Sequence, residues 1–209
     1  MSDPFPPGFF DRQDESPDPA FYGVPRLLTH IDDQAIEAVG LLYEELGIDG
    51  SGPPGGHVLD LMSSWISHLR TAPAELTVLG LNQDELDANP MATARVVQDL
   101  NVEPTLPFAD ATFTAATCCV SVDYLTRPVE VFQEVARVLR PGAPFVITFS
   151  NRCFPTKAIR GWLANNDQTH CRIVGMYFTL AGGFGEIQVA RRTPAGIGDP
   201  LFAVWAAKA

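Results

Sequence analysis

Five short apolar runs recur along the chain: HVLDL (57–61), ELTVLGL (75–81), ARVVQ (94–98), FTAATCCV (113–120) and PFVITFS (144–150). Near-continuous apolar character of this kind marks strands covered on both faces, as in a parallel sheet. Ahead of them Ile31, Ala35, Ile36, Val39, Tyr43 and Leu46 fall at helical spacing. Thr29 and Asp32 stand three apart like a capping box, and Gly47 provides the stop. Pro128 to Leu139 reads as a helix with Val131, Phe132, Val135, Val138 and Leu139 on one face, ended by Pro141-Gly142. Residues 156–166 and about 167–181 read as two more, the second with Ile173, Val174, Tyr177 and Phe178 inward and Gly182-Gly183 at its end. EIQVARR (186–192) and LFAVWAA (201–207), joined by a Pro/Gly-containing loop, switch the order to a hairpin. The pattern predicts an α/β, Rossmann-like sheet, mostly parallel, with an antiparallel C-terminal hairpin.

The flanks read differently. Residues 1–20 hold five prolines among five acidic residues, which argues against a helix or a central strand there. Residues 1–25 are therefore expected to be a flexible or arm-like segment, and 26–209 a single domain with SGPPGG (51–56) as an internal linker. A composition of 46% hydrophobic and 19% charged residues is that of a globular protein. The net charge of −11 would repel phosphate backbones and anionic lipids, so neither nucleic acid nor a membrane is an expected partner. No basic start precedes an apolar run, and no 18 consecutive residues lack a charge, which predicts a soluble cytoplasmic protein. Cys118, Cys119, Cys153 and Cys171 lack C-x-x-C spacing and read as free thiols, while His68 and His170 suggest no metal site.

In a doubly wound sheet, ligands bind beyond the carboxyl ends of the strands near the switch in strand order. Attention falls on the loops after Leu61, Leu81, Gln98 and Val120, and on any arm lying over them. In order, HVLDLMSSWISHL, TVLGLNQDEL, VVQDLNVEPTLPFADATF and EVARVLRPGAPFVI resemble the class I S-adenosylmethionine-dependent methyltransferases, especially the small-molecule type, over about residues 57–209. The resemblance implies S-adenosylmethionine as cofactor. Asp60 would orient the turn Leu61-Met62-Ser63-Ser64 around its methionine part, with Cys119 and Val120 beneath and Tyr22 and Tyr124 alongside. Asn82, next to Gln83, would face the ribose, and Asp99 the adenine amino group, with Leu100 and Asn101 on the same edge.

Two departures stand out. The family's D-x-G-x-G-x-G has Met62, Ser64 and Ile66 at its glycine positions, although glycine suits close approach and positive φ. Asn82 replaces an acid, keeping hydrogen-bonding capacity without the charge. Ser63 and Ser64 could rebuild the turn by capping a short helix after it and contacting an anionic group, or could merely cap that helix. Trp65 suits either the site or the core.

Methyl transfer is an in-line displacement that needs alignment, desolvation and, for a protonated nucleophile, a base. His30, Asp123 and Tyr124 are the catalytic candidates. Asp32 and Asp33 near His30 would favour its protonated form, whereas a neutral imidazole suits a base. Asp123 could instead cap the turn near Thr126-Arg127-Pro128. Arg152, Lys157 and Arg160 read as a solvated face or as a positive wall for an acidic substrate. A methyltransferase acting on a small molecule, with no metal, is the reading these residues favour. The alternative is a catalytically inactive, methyltransferase-like binding protein, motivated by the missing glycines and Asn82. A nicotinamide oxidoreductase is less favoured because no G-x-G-x-x-G follows a strand.

Overall fold

The computed structural model describes residues 4–50 and 56–209, so the linker expected at 51–56 lies outside them except for Gly56. Among the described residues seven strands form one sheet: β1 His57–Leu61, β2 Glu75–Gly80, β3 Ala94–Val97, β4 Ala115–Cys119, β5 Pro144–Phe149, β6 Gln188–Arg191 and β7 Phe202–Ala207. Their order is β3-β2-β1-β4-β5-β7-β6. The first five are parallel, and β7 runs antiparallel between β5 and β6. This is the mostly parallel sheet with an antiparallel hairpin that the sequence pattern predicts.

Six α-helices among the described residues accompany it: α1 Asp18–Tyr22, α2 Asp33–Glu45, α3 Gln83–Ala88, α4 Pro128–Val138, α5 Arg160–Leu163 and α6 Asp167–Ala181. Successive strand residues face opposite ways, so each strand supplies two cores. Leu59, Leu61, Leu79, Phe145 and Ile147 pack with Phe132 and Val135 of α4 and Tyr177 and Phe178 of α6. Val58, Val78 and Val146 pack on the other face with Val39, Leu42 and Tyr43 of α2. Each such fully buried side chain contributes about 1.5–3 kcal/mol.

Four local expectations are corrected. The cap of α2 is Asp32, whose side chain accepts from Ala35 N, and not Thr29. Helix 156–166 shrinks to the four residues of α5, because the stretch before it turns to insert Lys157 beneath the arm. α1 forms despite the prolines: Pro17 caps it and Pro19 lies in the first turn, where a missing N–H costs nothing. No helix follows β1, since residues 62–74 run as loop.

The N-terminal arm lies on the sheet's helical layer. Phe5, Phe9 and Phe10 have ring centroids 4.8–5.1 Å apart, and Phe5 reaches Tyr177 at 5.7 Å. Gly161 is required beneath them, as a Cβ there would sit 2.4 Å from the Phe9 ring. Main-chain bonds join Gly161 N to Phe9 O (2.8 Å), Arg160 N to Asp11 O (2.7 Å) and Asp14 N to Thr156 O (2.8 Å). Below runs an ion network. Lys157, 0% exposed, donates Nζ to Ser16 O at 2.7 Å and stands 3.2 Å from both the Asp14 and Asp18 carboxylates. Arg12 Nη1 lies 2.8 Å from each Asp18 oxygen, and Asn101 Nδ2 donates to Asp18 at 2.9 Å.

Burial raises the Asp18 pKa, but the bonds from Arg12 and Asn101 outweigh it and hold the carboxyl below its ordinary 3.8. Its contribution is complete above pH 3.8 and disappears as pH falls through the lowered folded value. Lys157→Ala leaves these carboxylates facing an empty site, and chemical denaturation should show a loss of about 3–5 kcal/mol. Limited proteolysis should then cut first within residues 4–30. A loss below about 1 kcal/mol, the range of an exposed pair, would show that the arm is held by other contacts.

Candidate active site

A cavity of about 370 Å³ opens over the carboxyl ends of β1, β2, β3 and β4 and is roofed by the arm, within the range of small-molecule sites. Asp60, Met62, Ser63 and Ser64 line it from the loop after β1, and Asn82 from the loop after β2. Asp99, Leu100 and Asn101 line it after β3, and Cys119, Val120 and Tyr124 after β4. Tyr22 and His30 line it from the arm. Three expected residues stand elsewhere: Leu61 is in the core, Gln83 is exposed and bonds Asp87 Oδ1 at 3.0 Å, and Asp123 is buried outside the lining.

The loop after β1 keeps a left-handed residue without glycine. Met62 has φ 53°, a conformation that costs a non-glycine residue about 1 kcal/mol or more. Ser63 N donates to Leu79 O at 2.8 Å, pulling the loop onto β2. The close approach is transferred to Gly80, where a Cβ would fall 2.3 Å from Ser63 O. The serines cap no helix. Ser63 Oγ donates to Asp60 (2.6 Å) and Ser64 Oγ to Glu85 (2.5 Å). Asp60, 3% exposed, also accepts from Thr117 Oγ1 at 2.9 Å; burial raises its pKa and these hydroxyls oppose the rise. Trp65 is no core residue: half-buried, it lines the cavity and donates Nε1 to Leu28 O at 3.2 Å.

Asn82 is committed to the fold. Its Oδ1 accepts from Glu85 N at 3.1 Å, capping α3, and its Nδ2 donates to Tyr22 O at 2.8 Å, holding the arm. The Glu85 carboxylate accepts from Arg26 N at 2.7 Å. Asp99 accepts from Asn101 N at 2.9 Å. Asn101 donates to Asp18 and to Tyr124 O (3.0 Å) and accepts from Thr126 N at 2.8 Å, leaving that turn without need of Asp123.

The roof is aromatic. Phe154 packs with Tyr22, Tyr124 and His30 at centroid distances of 6.3, 6.1 and 5.4 Å, and Tyr124 Oη accepts from Phe154 N at 2.8 Å. Arg26 covers the Phe21 ring at 4.7 Å. Burial lowers the His30 pKa; Glu85 opposes this and Arg26 adds to it, so the neutral imidazole dominates at pH 7. This corrects the expected pull of Asp32 and Asp33: Asp32 caps α2 and accepts from Asp199 N at 2.7 Å. His68, also in the lining, has φ 54° and a buried Nδ1 without a partner, and burial pushes its pKa down to about 4. Of the three cations after β5, Arg152 lines the cavity while pairing with Asp199 at 2.9 Å, whereas Lys157 lies beneath the arm and Arg160 faces Asp11 at 3.9 Å.

Sequence reasoning missed Glu85, Arg26 and His68. Glu85 carries a signal, the cap spacing Asn82-x-x-Glu85; Arg26 carries none, because its place depends on how the arm folds back.

Gly80→Ala should cost about 1–3 kcal/mol of stability, since its methyl meets a carbonyl rather than a yielding side chain. An unchanged denaturation midpoint would refute the close approach. Asp123 has Oδ2 buried without a partner, and burial pushes its pKa up to about 8. A raised carboxyl pKa lowers stability as pH climbs from the unfolded value of 3.8 toward 8. Asp123→Asn should therefore melt higher than the parent chain at pH 8, with the difference closing near pH 4.

Residues 55–147 match the model of the methyltransferase domain family. No curated protein matches the chain in sequence. Among solved structures, a chain from the complex of the Haloferax volcanii Trm112 methyltransferase activator superposes with TM-score 0.61 at 13% identity, covering 84% of this chain and 90% of that one. The Aquifex aeolicus SAM-dependent methyltransferase gives 0.58 at 17% identity over 84% and 92%. Geranyl diphosphate C-methyltransferase from Streptomyces coelicolor, solved with S-adenosyl-L-homocysteine, gives 0.53 at 12% identity over 83% and 78%. Residues 55–147, from β1 into β5, thus match a methyltransferase domain, and the chain as a whole has the fold of the S-adenosylmethionine-dependent methyltransferases.

Proposed function

We propose that this methyltransferase acts on a small-molecule acceptor held between the cofactor and the aromatic roof of Tyr22, Tyr124 and Phe154. The cavity beneath the arm carries the reading: the arm lies across it and narrows the approach, which suits a small acceptor better than a macromolecular one. The donor set fits the cofactor. Asp99 offers a carboxylate to an exocyclic amine, Leu100 an apolar edge to a base, and the Met62-Ser63-Ser64 backbone a polar rim to the amino-acid end. When bound, the cofactor supplies an electrophilic methyl group on a sulfonium.

The chain contributes position, dryness and a proton acceptor. Tyr124 is held by Phe154 N, and the rings around it exclude water from the acceptor. His30, neutral at pH 7, takes a proton from an oxygen or nitrogen nucleophile. Arg26, whose guanidinium meets rings and the Phe21 carbonyl rather than a carboxylate, favours an acceptor with an acidic group at the same end. A cytoplasmic setting is part of this proposal; among the described residues no helix is long and apolar enough to cross a membrane.

Release of S-adenosylhomocysteine with a panel of hydroxy- and amino-substituted aromatic carboxylic acids tests the acceptor class. His30→Ala should lower kcat about 10²-fold or more with the panel's best acceptor, with cofactor affinity unchanged. Asp99→Ala should instead weaken cofactor binding. Methylation of proteins or nucleic acids alone, with the panel inert, would overturn the small-molecule reading.

A further inference from the structure

We infer that His68 is a second acceptor-binding residue: it donates a hydrogen bond to a polar atom beside the one that is methylated, so the acceptor carries two neighbouring heteroatoms. The inference rests on the small-molecule reading and narrows it. The proposed reaction employs His30 and leaves the other imidazole of the cavity lining without a task. Both rings belong to one end of the cavity. Trp65 Nε1 donates to Leu28 O at 3.2 Å and brings the loop after β1 against the roof. His68 follows Trp65 by three residues and His30 follows Leu28 by two. Among the described residues neither imidazole has a hydrogen-bond partner.

The fold holds His68 in this place at a cost. Its neighbours Ser67 and Leu69 are buried, and Ser67 Oγ accepts from Asn89 Nδ2 at 2.9 Å. Between these two anchors the His68 backbone takes a left-handed φ of 54°, which side chains with a Cβ rarely adopt. No bond made by the ring offsets that strain, and strain of this kind collects where a side chain serves a ligand. The two imidazoles take different parts. Nδ1 of His68 is buried, and a proton there would be an orphaned N–H; the proton therefore sits on Nε2 and the ring offers the cavity a donor. Burial pushes the His68 pKa down to about 4 and His30 adds to this, so the donor is neutral at pH 7. It suits an uncharged hydroxyl or amine next to the nucleophile, whereas an acidic group goes to Arg26. His30 keeps a lone pair for the nucleophile's proton.

Calorimetric titration of the full chain saturated with S-adenosylhomocysteine tests this, with 3,4-dihydroxybenzoate compared against 3-hydroxybenzoate and 4-hydroxybenzoate. The parent chain should bind the dihydroxy ligand about fivefold or more tighter than either monohydroxy one, as one hydrogen bond to an otherwise unpaired donor provides. His68→Phe should bring the preference within about twofold by weakening the dihydroxy ligand, with affinity for S-adenosylhomocysteine unchanged. Should His68→Phe not fold, His68→Asn, which suits the left-handed backbone and is too short to reach the ligand, is expected to lose the preference likewise. A preference undiminished in the folded variant, or a variant that weakens all three ligands equally, overturns the assignment. A parent chain that binds the three alike overturns it too and leaves the small-molecule reading standing. One that binds S-adenosylhomocysteine but none of the three overturns the acceptor class and this assignment together.

Discussion

The site depends on the burial of one carboxylate. Asp18 is 3% exposed, and an isolated ion at that depth would cost several kcal/mol. It is sustained only because Arg12, Lys157 and Asn101 converge on it from the arm, from the turn after β5 and from the loop after β3. Removing any of the three pieces strands a charge or a donor in the other two. The arm is thereby a part of the fold, and the cavity exists because the network sets the height at which Tyr22 crosses it.

The same arm consumes side chains that a ligand would otherwise meet. Asn82 and Trp65 donate to Tyr22 O and Leu28 O, and Glu85 accepts from Arg26 N, so the loops that form the floor also hold the roof. A glycine-rich turn offers a ligand bare backbone. Here the close approach is moved to Gly80, and Met62 keeps the left-handed conformation at a cost in strain that the Ser63 bonds to Leu79 and Asp60 offset.

How much was legible in the sequence follows from what each feature depends on. Strand positions were readable because doubly covered strands leave apolar runs, and α4 and α6 because their faces repeat at helical spacing. The cavity's loops were readable from strand order alone. Lys157 misled: a lysine beside Arg152 and Arg160 reads as surface, and nothing local says that Asp14, Ser16 and Asp18 will close over it. The helix expected after β1 failed for a related reason. Ser63 and Ser64 have cap chemistry, but Asp60 and Glu85 compete for their hydroxyls, and those partners come from other segments. His30 was identified as a candidate, yet its neutral state follows from burial and Arg26, neither visible in Asp32-Asp33.

The arm divides mechanically at Tyr22. Residues up to α1 are tied by main-chain bonds and buried ion pairs, whereas among the described residues 23–30 make no main-chain-to-main-chain hydrogen bond. Val24 and Leu28 in that stretch are 72% and 68% exposed. Its two polar ties to the floor, Arg26 N to Glu85 and Trp65 Nε1 to Leu28 O, contribute about 1 kcal/mol each, far less than the network beneath residues 12–18. Local opening follows the least stable segment, so the roof yields at 23–30 while the anchor stays in place. A ligand can then enter without unfolding the sheet, past the rings of Tyr22 and Phe154, which lie outside the stretch that opens.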